Sequence, residues 1–305
     1  MKPHSYQKMN NTTDFKNHLR SEGYSQNTIR FHEQVIRALQ QWTDQEGITT
    51  IQATYQDLLA WLQYKQKQGT GKAGASRYVN ALKNYYQWLK ETGKIETNPT
   101  QTIKLQGLTR HKTYDILSPL ELNNLYSKLT QKQYRDSEKQ NRDLALIGLV
   151  IFQGLSSTDL QQLRPQDLQL RAGTIEVPSS RRINERTLTL QPVQIMDLYT
   201  YVNTTRSQLI KRLNHDPETL FFTTEGSSRF YLLLESIRKK IMKAEARVRN
   251  LNQLRASVIT HWIRTHNLRK AQYMAGHKYI SSTEKYIIHD LEGLQEEVQQ
   301  YHPLG

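Results

Sequence analysis

Two residues that could do chemistry lie close together near the end of the chain, in the stretch AGHKYISSTEKY at residues 275–286. His277 and Tyr286 are nine positions apart. An imidazole can donate hydrogen bonds or move protons, and a phenol can act as a nucleophile. Arg255 lies 22 residues before His277, and its planar guanidinium can hold phosphate oxygens bidentately. Each of the three also has an ordinary interpretation. Tyr286 could be a half-buried helix tyrosine, one of 17 tyrosines in the chain. His277 could be a polar residue that ends a Gly-capped turn, and Arg255 could be a surface arginine.

The composition limits the classes of protein to which the chain can belong. Without cysteine, disulfides, thiolate chemistry and cysteine-ligated zinc are excluded. The longest apolar run, LALIGLVIF at residues 144–152, has nine residues, and a membrane span needs about 20. The N-terminus has no apolar signal segment. We therefore expect an intracellular protein without a membrane partner.

The net charge favours a polyanionic partner. It is +14, with a sequence pI of about 9.7. Each phosphate that a basic protein neutralises releases condensed counterions, which favours binding to nucleic acid. Many soluble proteins are basic without binding nucleic acid, so the charge alone does not decide the partner.

The first hundred residues are predicted to form four helices, because their apolar residues recur at spacings of three and four. A Thr-capped helix should begin at Thr12 and stop at Gly23, and a second should run from Ser25 to Gly47. Two more follow at residues 55–69 and 75–93, each closed by glycine. Pro99 and the Thr-rich, basic residues after it indicate a linker.

The second part of the chain mixes helices with one β-hairpin. A Ser-Pro helix start at residues 117–129 precedes the apolar helix at 142–154 and a short helix at 157–163. GTIEVP and RTLTLQ predict two strands around the polar tip SSRRINE. Four further helices follow at 192–209, 231–246, 251–266 and 268–277. A capping box with Ser281 at the cap and Glu284 three residues later should place Tyr286 in the first turns of a final helix.

With these motifs in order, the chain resembles the tyrosine recombinases, the superfamily of phage integrases, Xer proteins and Cre, over roughly residues 12–300. The segments that carry the resemblance are RDLALIGLVIFQGLSSTDLQQLRPQDL, LNQLRASVITHW and AGHKYISSTEKY, together with the helical N-terminal part. The resemblance implies a mainly α fold with two domains. One is a four-helix, SAM-like core-binding domain, and the other is an α+β catalytic domain with a small antiparallel sheet. The implied boundaries are an extension at 1–11, the core-binding domain at 12–98, a linker at 99–113, the catalytic domain at 114–289 and a tail at 290–305.

The resemblance also implies a chemistry. Tyr286 matches the nucleophile, which attacks the scissile phosphate to leave a 3′-phosphotyrosyl link and a free 5′-hydroxyl. Arg255 matches the second arginine of the family, His277 a hydrogen-bond donor to the phosphate, and Asp159 a carboxylate that supports its neighbours. The resemblance implies that no metal or other cofactor takes part. Because the covalent link conserves the bond energy, no nucleotide motif is needed, and no Gly-rich phosphate loop is found.

Three positions depart from the family pattern. Ser156 stands where the first-box arginine is expected, and Asn252 stands where a histidine is expected three residues before Arg255. The hairpin tip offers Arg181 and Arg182 in place of the lysine that protonates the leaving oxygen. Our hypothesis is that Arg181 or Arg182 moves into the space of the first-box arginine, with Lys278 or Lys285 a further candidate.

The expected partner is double-stranded DNA, held in a clamp between the two domains. Candidate phosphate or groove contacts on the fourth helix are Lys72, Arg77, Lys83 and Lys90, with Lys278 in the closing motif; a solvated basic face is the alternative. The tail should join protomers into a tetramer on two DNA sites, with accessory DNA-bending or directionality proteins as further partners. We expect a cytoplasmic, nucleoid-associated integrase of a mobile element. The alternatives are a non-cleaving accessory protein of the same fold and a type IB topoisomerase.

Overall fold

The structure, a computed structural model, describes residues 3–105, 114–132, 134–181, 183–213, 215–224 and 230–287; the side chains of residues 3–10 are outside that description. The chain divides into two compact units, residues 1–110 and 111–305. Each unit has a hydrophobic core of its own.

The N-terminal unit contains the four expected helices, α1 (Pro3–Ser21), α2 (Gln26–Gln45), α3 (Tyr55–Lys67) and α4 (Lys72–Glu91). Ser25 and Thr54 cap α2 and α3 by accepting hydrogen bonds from backbone N–H groups inside the helix. The prediction that the first helix begins at Thr12 was wrong. It begins at Pro3, a residue type suited to the first helical turn, and no Gly or Pro interrupts the chain before Thr12. From Pro3 onward, the expected extension is therefore part of α1.

Aromatic side chains fill the core of this unit. Trp61, Tyr85 and Tyr86 are fully buried. The rings of Phe15 and Tyr85 meet edge to face, with centroids 5.1 Å apart. The Tyr86 hydroxyl donates to the Thr50 carbonyl oxygen at 2.7 Å, which satisfies its polar end inside the core.

The C-terminal unit is helical around a small antiparallel sheet. Its strands are β1 (Leu168–Gln169), β2 (Thr174–Val177) and β3 (Arg186–Thr189), in the order β1-β2-β3. The predicted hairpin is β2 and β3, with Val177 paired to Arg186. The sequence did not predict β1, because two residues are too few to show the alternation of a strand.

The helices of this unit are close to those expected. They are α5 (Pro119–Thr130), α6 (Ser137–Gln153), α7 (Ser157–Gln162), α8 (Pro192–Thr200), α9 (Arg206–Ile210), α10 (Phe230–Ala244), α11 (Leu251–Thr265), α12 (Leu268–Ala275) and α13 (Ser281–Glu284). One π-helical turn, Tyr201–Thr205, joins α8 to α9.

Helix α6 is the centre of the unit, and every residue from Leu144 to Ile151 is buried. It packs against α5, α8 and α11, which explains why its sequence is apolar on all sides. Gly154 ends the helix in the left-handed conformation, with φ 57°. Across the described part of the chain, we find no helix with the length and apolar character of a transmembrane segment.

Candidate active site

Arg255 lies on α11 and is 6% exposed. Its Nη1 donates to the carbonyl oxygen of Gly154, and its Nη2 donates to that of Ala275 at 2.8 Å. The guanidinium therefore links the C-terminal ends of α6 and α12. Burial lowers the pKa of Arg255, and the nearby side chain of Tyr286, 31 residues further along the chain, is among the groups that raise it.

His277 binds two partners that fix its tautomer. Its Nε2 lies 3.3 Å from Nη2 of Arg255, and its Nδ1 lies 2.9 Å from Oγ1 of Thr283. Because a guanidinium can only donate, Nε2 accepts, and the proton of the neutral ring is on Nδ1. Burial, followed by the charges of Arg255 and Arg186, lowers the pKa of His277 to about 4. The imidazole is thus neutral at pH 7.

Tyr286 is half-buried against this histidine. The two rings stack with centroids 5.9 Å apart and planes 12° from parallel. The predicted capping box was wrong. Ser281 is the first residue of α13 and not its cap, because the turn already starts with hydrogen bonds to the carbonyl oxygens of Tyr279 and Ile280. Tyr286 follows the end of α13 by two residues, and its N–H donates to the Thr283 carbonyl at 2.9 Å.

Asp159 is the buried carboxylate of the site, with 1% exposure. Its Oδ2 accepts hydrogen bonds from the Ser156 N–H at 2.7 Å and from Nη2 of Arg186 at 3.1 Å, and it lies 3.7 Å from Nη1 of Arg255. Burial raises the pKa of Asp159, but the charge and hydrogen bonds of Arg186, with those of Ser156, outweigh it, so the pKa is lowered. The carboxylate is therefore ionised between two arginines.

Ser156 is the N-cap of α7. Its hydroxyl accepts from the Asp159 N–H at 3.2 Å, and the Asp159 carboxylate accepts from the Ser156 N–H, which completes a capping box. The side chain is half-buried, and its hydroxyl is engaged with the helix terminus.

Arg186 is the member of this cluster that the sequence analysis missed. It is the first residue of β3, and its side chain is fully buried. Its Nε donates to the Met274 carbonyl oxygen at 2.9 Å, and its two Nη atoms donate to the two oxygens of Asp159. Arg186, Leu188 and Leu190 alternate on the buried face of the strand. In a strand, every second residue lies on the same face. Because Arg186 falls on the same face as the two leucines, this alternation is the sequence signal that could have identified a buried cation.

The hairpin tip reaches the same loop through its backbone. Ile183 forms an isolated antiparallel bridge with His277, and the Asn184 N–H donates to the Gly276 carbonyl oxygen at 2.8 Å. Arg181 is exposed in the turn, and Arg182 lies outside the described residues. Among the described hairpin arginines, Arg186 is the one that contacts Asp159, and Arg181 is exposed.

The remaining predicted site residues lie on the surface. Asn252 is exposed on the first turn of α11, and Lys278 and Lys285 are exposed on either side of α13. On α4 of the N-terminal unit, Lys72, Arg77 and Lys90 are exposed and Lys83 is half-buried. The guanidinium carbon of Arg77 lies 4.1 Å from the centroid of the Phe31 ring, a cation–π contact. Within the described ranges, no group of three or more His, Asp or Glu side chains is placed to hold a metal ion.

Comparison with protein families matches both units. Residues 12–93 match the family described as phage integrase, N-terminal SAM-like domain, and residues 116–292 match the phage integrase family. The chain is 26% identical over 287 residues to tyrosine recombinase XerC of Oceanobacillus iheyensis, covering 90% of each protein. It is 24% identical over 291 residues to tyrosine recombinase XerD of Shewanella oneidensis, covering 93% of each.

Solved structures of low sequence identity share the fold. The XerH site-specific recombinase bound to a palindromic difH substrate, a post-cleavage complex, aligns with a TM-score of 0.70 at 18% identity, over 88% of this chain and 78% of that one. The Tn1549 transposon integrase in complex with a circular intermediate DNA aligns with a TM-score of 0.65 at 16% identity, over 90% and 94%. The expected fold class, a helical SAM-like domain followed by a catalytic domain with a small antiparallel sheet, is confirmed.

Proposed function

From the premise that the chain belongs to the phage integrase family and is a tyrosine recombinase, an enzyme that breaks and rejoins DNA, we propose that Tyr286 is its nucleophile. The observation that carries this proposal is the contact of Tyr286 with both Arg255 and His277. A structural tyrosine needs no cationic neighbour, whereas a phenol that attacks a phosphodiester does.

The proposed reaction exchanges one phosphoester for another. The phenol oxygen of Tyr286 forms a bond to the scissile phosphorus, the bond to the 5′-oxygen breaks, and a proton reaches that oxygen to give a 5′-hydroxyl. The phenol gives up one proton as its bond forms, so the proton lost by Tyr286 balances the proton gained by the leaving 5′-oxygen. Attack by a 5′-hydroxyl of the partner duplex reverses each step. Phosphoester bonds are conserved in number, so the reaction needs no nucleotide hydrolysis to drive it.

Arg255 and His277 are placed to bind a non-bridging oxygen of this phosphate. The oxygen would take the position between Nη2 and Nε2, where the two groups now contact each other at 3.3 Å. Nδ1 remains with the Thr283 hydroxyl, which can donate or accept, so His277 can donate from Nε2 either as the other neutral tautomer, with Thr283 Oγ1 donating to Nδ1, or as the imidazolium. The negative charge of the phosphate stabilises the imidazolium, so DNA binding should raise the pKa of His277 from about 4.

At the level of the organism, we propose that the protein integrates or excises a mobile genetic element. Support comes from the likeness to a transposon integrase in complex with a circular intermediate DNA. The DNA would be held as a duplex by both units, and protomers would assemble as a tetramer on two sites. The tail proposed to join them, residues 290–305, lies outside the described residues.

A second candidate function is a DNA-binding accessory protein with weakened cleavage. Two observations favour it. The Ser156 hydroxyl, which we propose lies at the position of the first-box arginine, is used as a helix cap. Asn252 is exposed. The loss of one oxyanion donor typically costs about 10²–10³ in rate. Such a protein would bind its site and form no covalent link.

The test is an SDS-resistant protein–DNA adduct. Duplexes that the protein selects from a random pool are nicked near the cleavage point, so that the broken strand cannot be rejoined. We expect an adduct with the wild type and with Tyr279→Phe, since Tyr279 is 74% exposed in the same loop, and none with Tyr286→Phe. Adduct in Tyr286→Phe would refute the assignment of the nucleophile. Specific binding without adduct in the wild type would favour the accessory protein.

A further inference from the structure

Among the residues that the structure describes, the candidate site contains two buried guanidinium groups and one buried carboxylate. The side chains of Arg186 and Arg255 are 0% and 7% exposed, and that of Asp159 is 1% exposed. Asp159 neutralises one positive charge, and the neutral His277 adds none. The described part of the cluster therefore carries one positive charge more than its carboxylate balances, and burying an ion without a counterion is costly. A phosphodiester bound at Tyr286 carries a single negative charge and would supply that counterion.

Backbone carbonyls hold the two arginines before any anion arrives. Gly154 and Ala275 accept from Arg255, and Met274 accepts from Arg186. These oxygens lie at the C-terminal ends of α6 and α12, where a helix carries partial negative charge. They satisfy hydrogen bonds and orient the guanidiniums, but a dipole does not neutralise a full charge.

The closing loop is shaped around Arg186. A Cβ added at Gly276 would lie 2.5 Å from Nη1 of Arg186 and 2.7 Å from Cγ2 of Ile183, and Gly276 has φ +72°. Only glycine lets the backbone approach the guanidinium this closely. The residue directly before His277 is therefore in contact with a cation supplied by β3.

We propose that Arg186 supplies from β3 the positive charge that Ser156 does not supply from the first box. It is a positioning residue: it holds Asp159, and through Asp159 also Arg255, and it adds a second buried positive charge beside the phosphate. This inference rests on the proposed function. The competing interpretation is a buried ion pair that serves only the stability of the fold.

The experiment separates charge from structure by changing the charge of the substrate. The rate of adduct formation is measured on the selected, nicked duplex and on the same duplex with a neutral methylphosphonate at the scissile position. Arg186→Gln should lower the rate about 10²–10³-fold on the phosphate. The methylphosphonate has no negative charge to stabilise. On this substrate, Arg186→Gln should lower the rate of adduct formation by less than about tenfold relative to wild type, which is well below the effect of losing one oxyanion donor.

The matched control is Arg142→Gln. Arg142 is also a buried arginine of the C-terminal unit, bound to Asp143 and to the Phe222 carbonyl oxygen. We expect its losses, whatever their size, to be equal on the two substrates. Equal losses for Arg186→Gln on the two substrates, or no loss on the phosphate, would overturn the proposal, and so would a methylphosphonate preference in the control.

Two further measurements keep the outcome interpretable. If Arg186→Gln does not fold by circular dichroism, Arg186→Lys decides, because it keeps the charge. A rate within about tenfold of wild type supports the charge role, and a loss of about 10² or more on both substrates refutes it. Failure of the proposed function looks different: the wild type itself then forms no adduct with either substrate.

Discussion

Asp159→Asn should be the most destabilising single substitution in the candidate site. The change removes the negative charge between Arg186 and Arg255, whose nitrogens lie 3.1 Å and 3.7 Å from the carboxylate. An asparagine amide cannot replace it in either orientation, because both oxygens of Asp159 accept hydrogen bonds and the new NH₂ group would face a donor of Arg186. Removing one partner from a buried ion pair costs about 3–5 kcal/mol.

The assay is urea denaturation at pH 7, where Asp159 is ionised in the wild type. We expect the free energy of unfolding of the C-terminal unit to fall by about 3–5 kcal/mol. Glu121→Gln is the control in the same unit. Glu121 completes the capping box of α5 and pairs with the exposed Arg247, so its loss should be about 1 kcal/mol or less.

A double-mutant cycle with Arg186→Gln tests the physical cause. In the Arg186→Gln background, Asp159→Asn leaves only the Arg255 guanidinium without a counterion. The loss of unfolding free energy caused by Asp159→Asn should therefore be smaller in that background by about 1–3 kcal/mol. Costs that add within about 0.5 kcal/mol would mean that Asp159 and Arg186 do not act on each other. A loss in Asp159→Asn no larger than that of Glu121→Gln would likewise refute the argument from buried charge.

The remaining predictions concern pH, sterics and DNA. The pKa of His277 is about 4 when folded and 6.5 when unfolded, so between these values only the unfolded state gains this proton. This group alone should lower wild-type stability by about 3 kcal/mol by pH 4, and His277→Gln should remove that part of the drop in urea titrations. Gly276→Ala should lower the free energy of unfolding and the yield of adduct more than Gly173→Ala does. Gly173 has a similar φ of +65°, but a Cβ added there meets open space. Equal effects of the two substitutions would contradict the close contact of Gly276 with the guanidinium. Arg77→Ala should weaken DNA binding and reduce the slope of log affinity against log salt by about 0.9, whereas Phe31→Leu, which removes the ring under Arg77, should weaken binding without changing the slope.

The sequence predicted the helices that carry Arg255 and Asp159, because the patterns that mark a helix are local. Arg255 follows a three-and-four apolar pattern on α11, and the glycine before His277 ends α12, as expected of a C-cap. Ser156 and Asp159 are three residues apart, the spacing of a capping box, and they form one. This capping box was not predicted although its spacing is local, and the same spacing at Ser281 and Glu284 forms no capping box.

The sequence could not predict which hairpin arginine reaches the site. Arg181 is nearer the tip and exposed, whereas Arg186 lies in the ladder opposite Val177 and faces the core. Whether a strand residue points inward depends on register, and a shift of one residue would have reversed the two faces. The failed prediction of a cap at Ser281 has a related cause: the His277 ring binds Thr283, and the turn that includes Tyr279 and Ile280 starts the helix earlier. The identity of the buried hairpin arginine and the wrong cap therefore both depend on contacts that local sequence patterns do not contain.

The same tertiary contacts explain how one carboxylate can serve two buried arginines. Helices α6 and α12 both end at a left-handed glycine, which turns the chain away and leaves their last carbonyl groups without helical donors. Arg255 and Arg186 donate hydrogen bonds to those carbonyl oxygens, which would otherwise need water as a hydrogen-bond donor. The two helix ends therefore hold the guanidiniums in place. Neither arginine is fully neutralised, because the carbonyls contribute dipoles and Asp159 contributes one charge. Phosphate binding would therefore complete the electrostatics of a site whose two arginines are already held by backbone carbonyl oxygens. It follows that sulfate or phosphate should raise the stability of Asp159→Asn more than that of the wild type, and equal stabilisation would show that the excess charge is not located at this cluster.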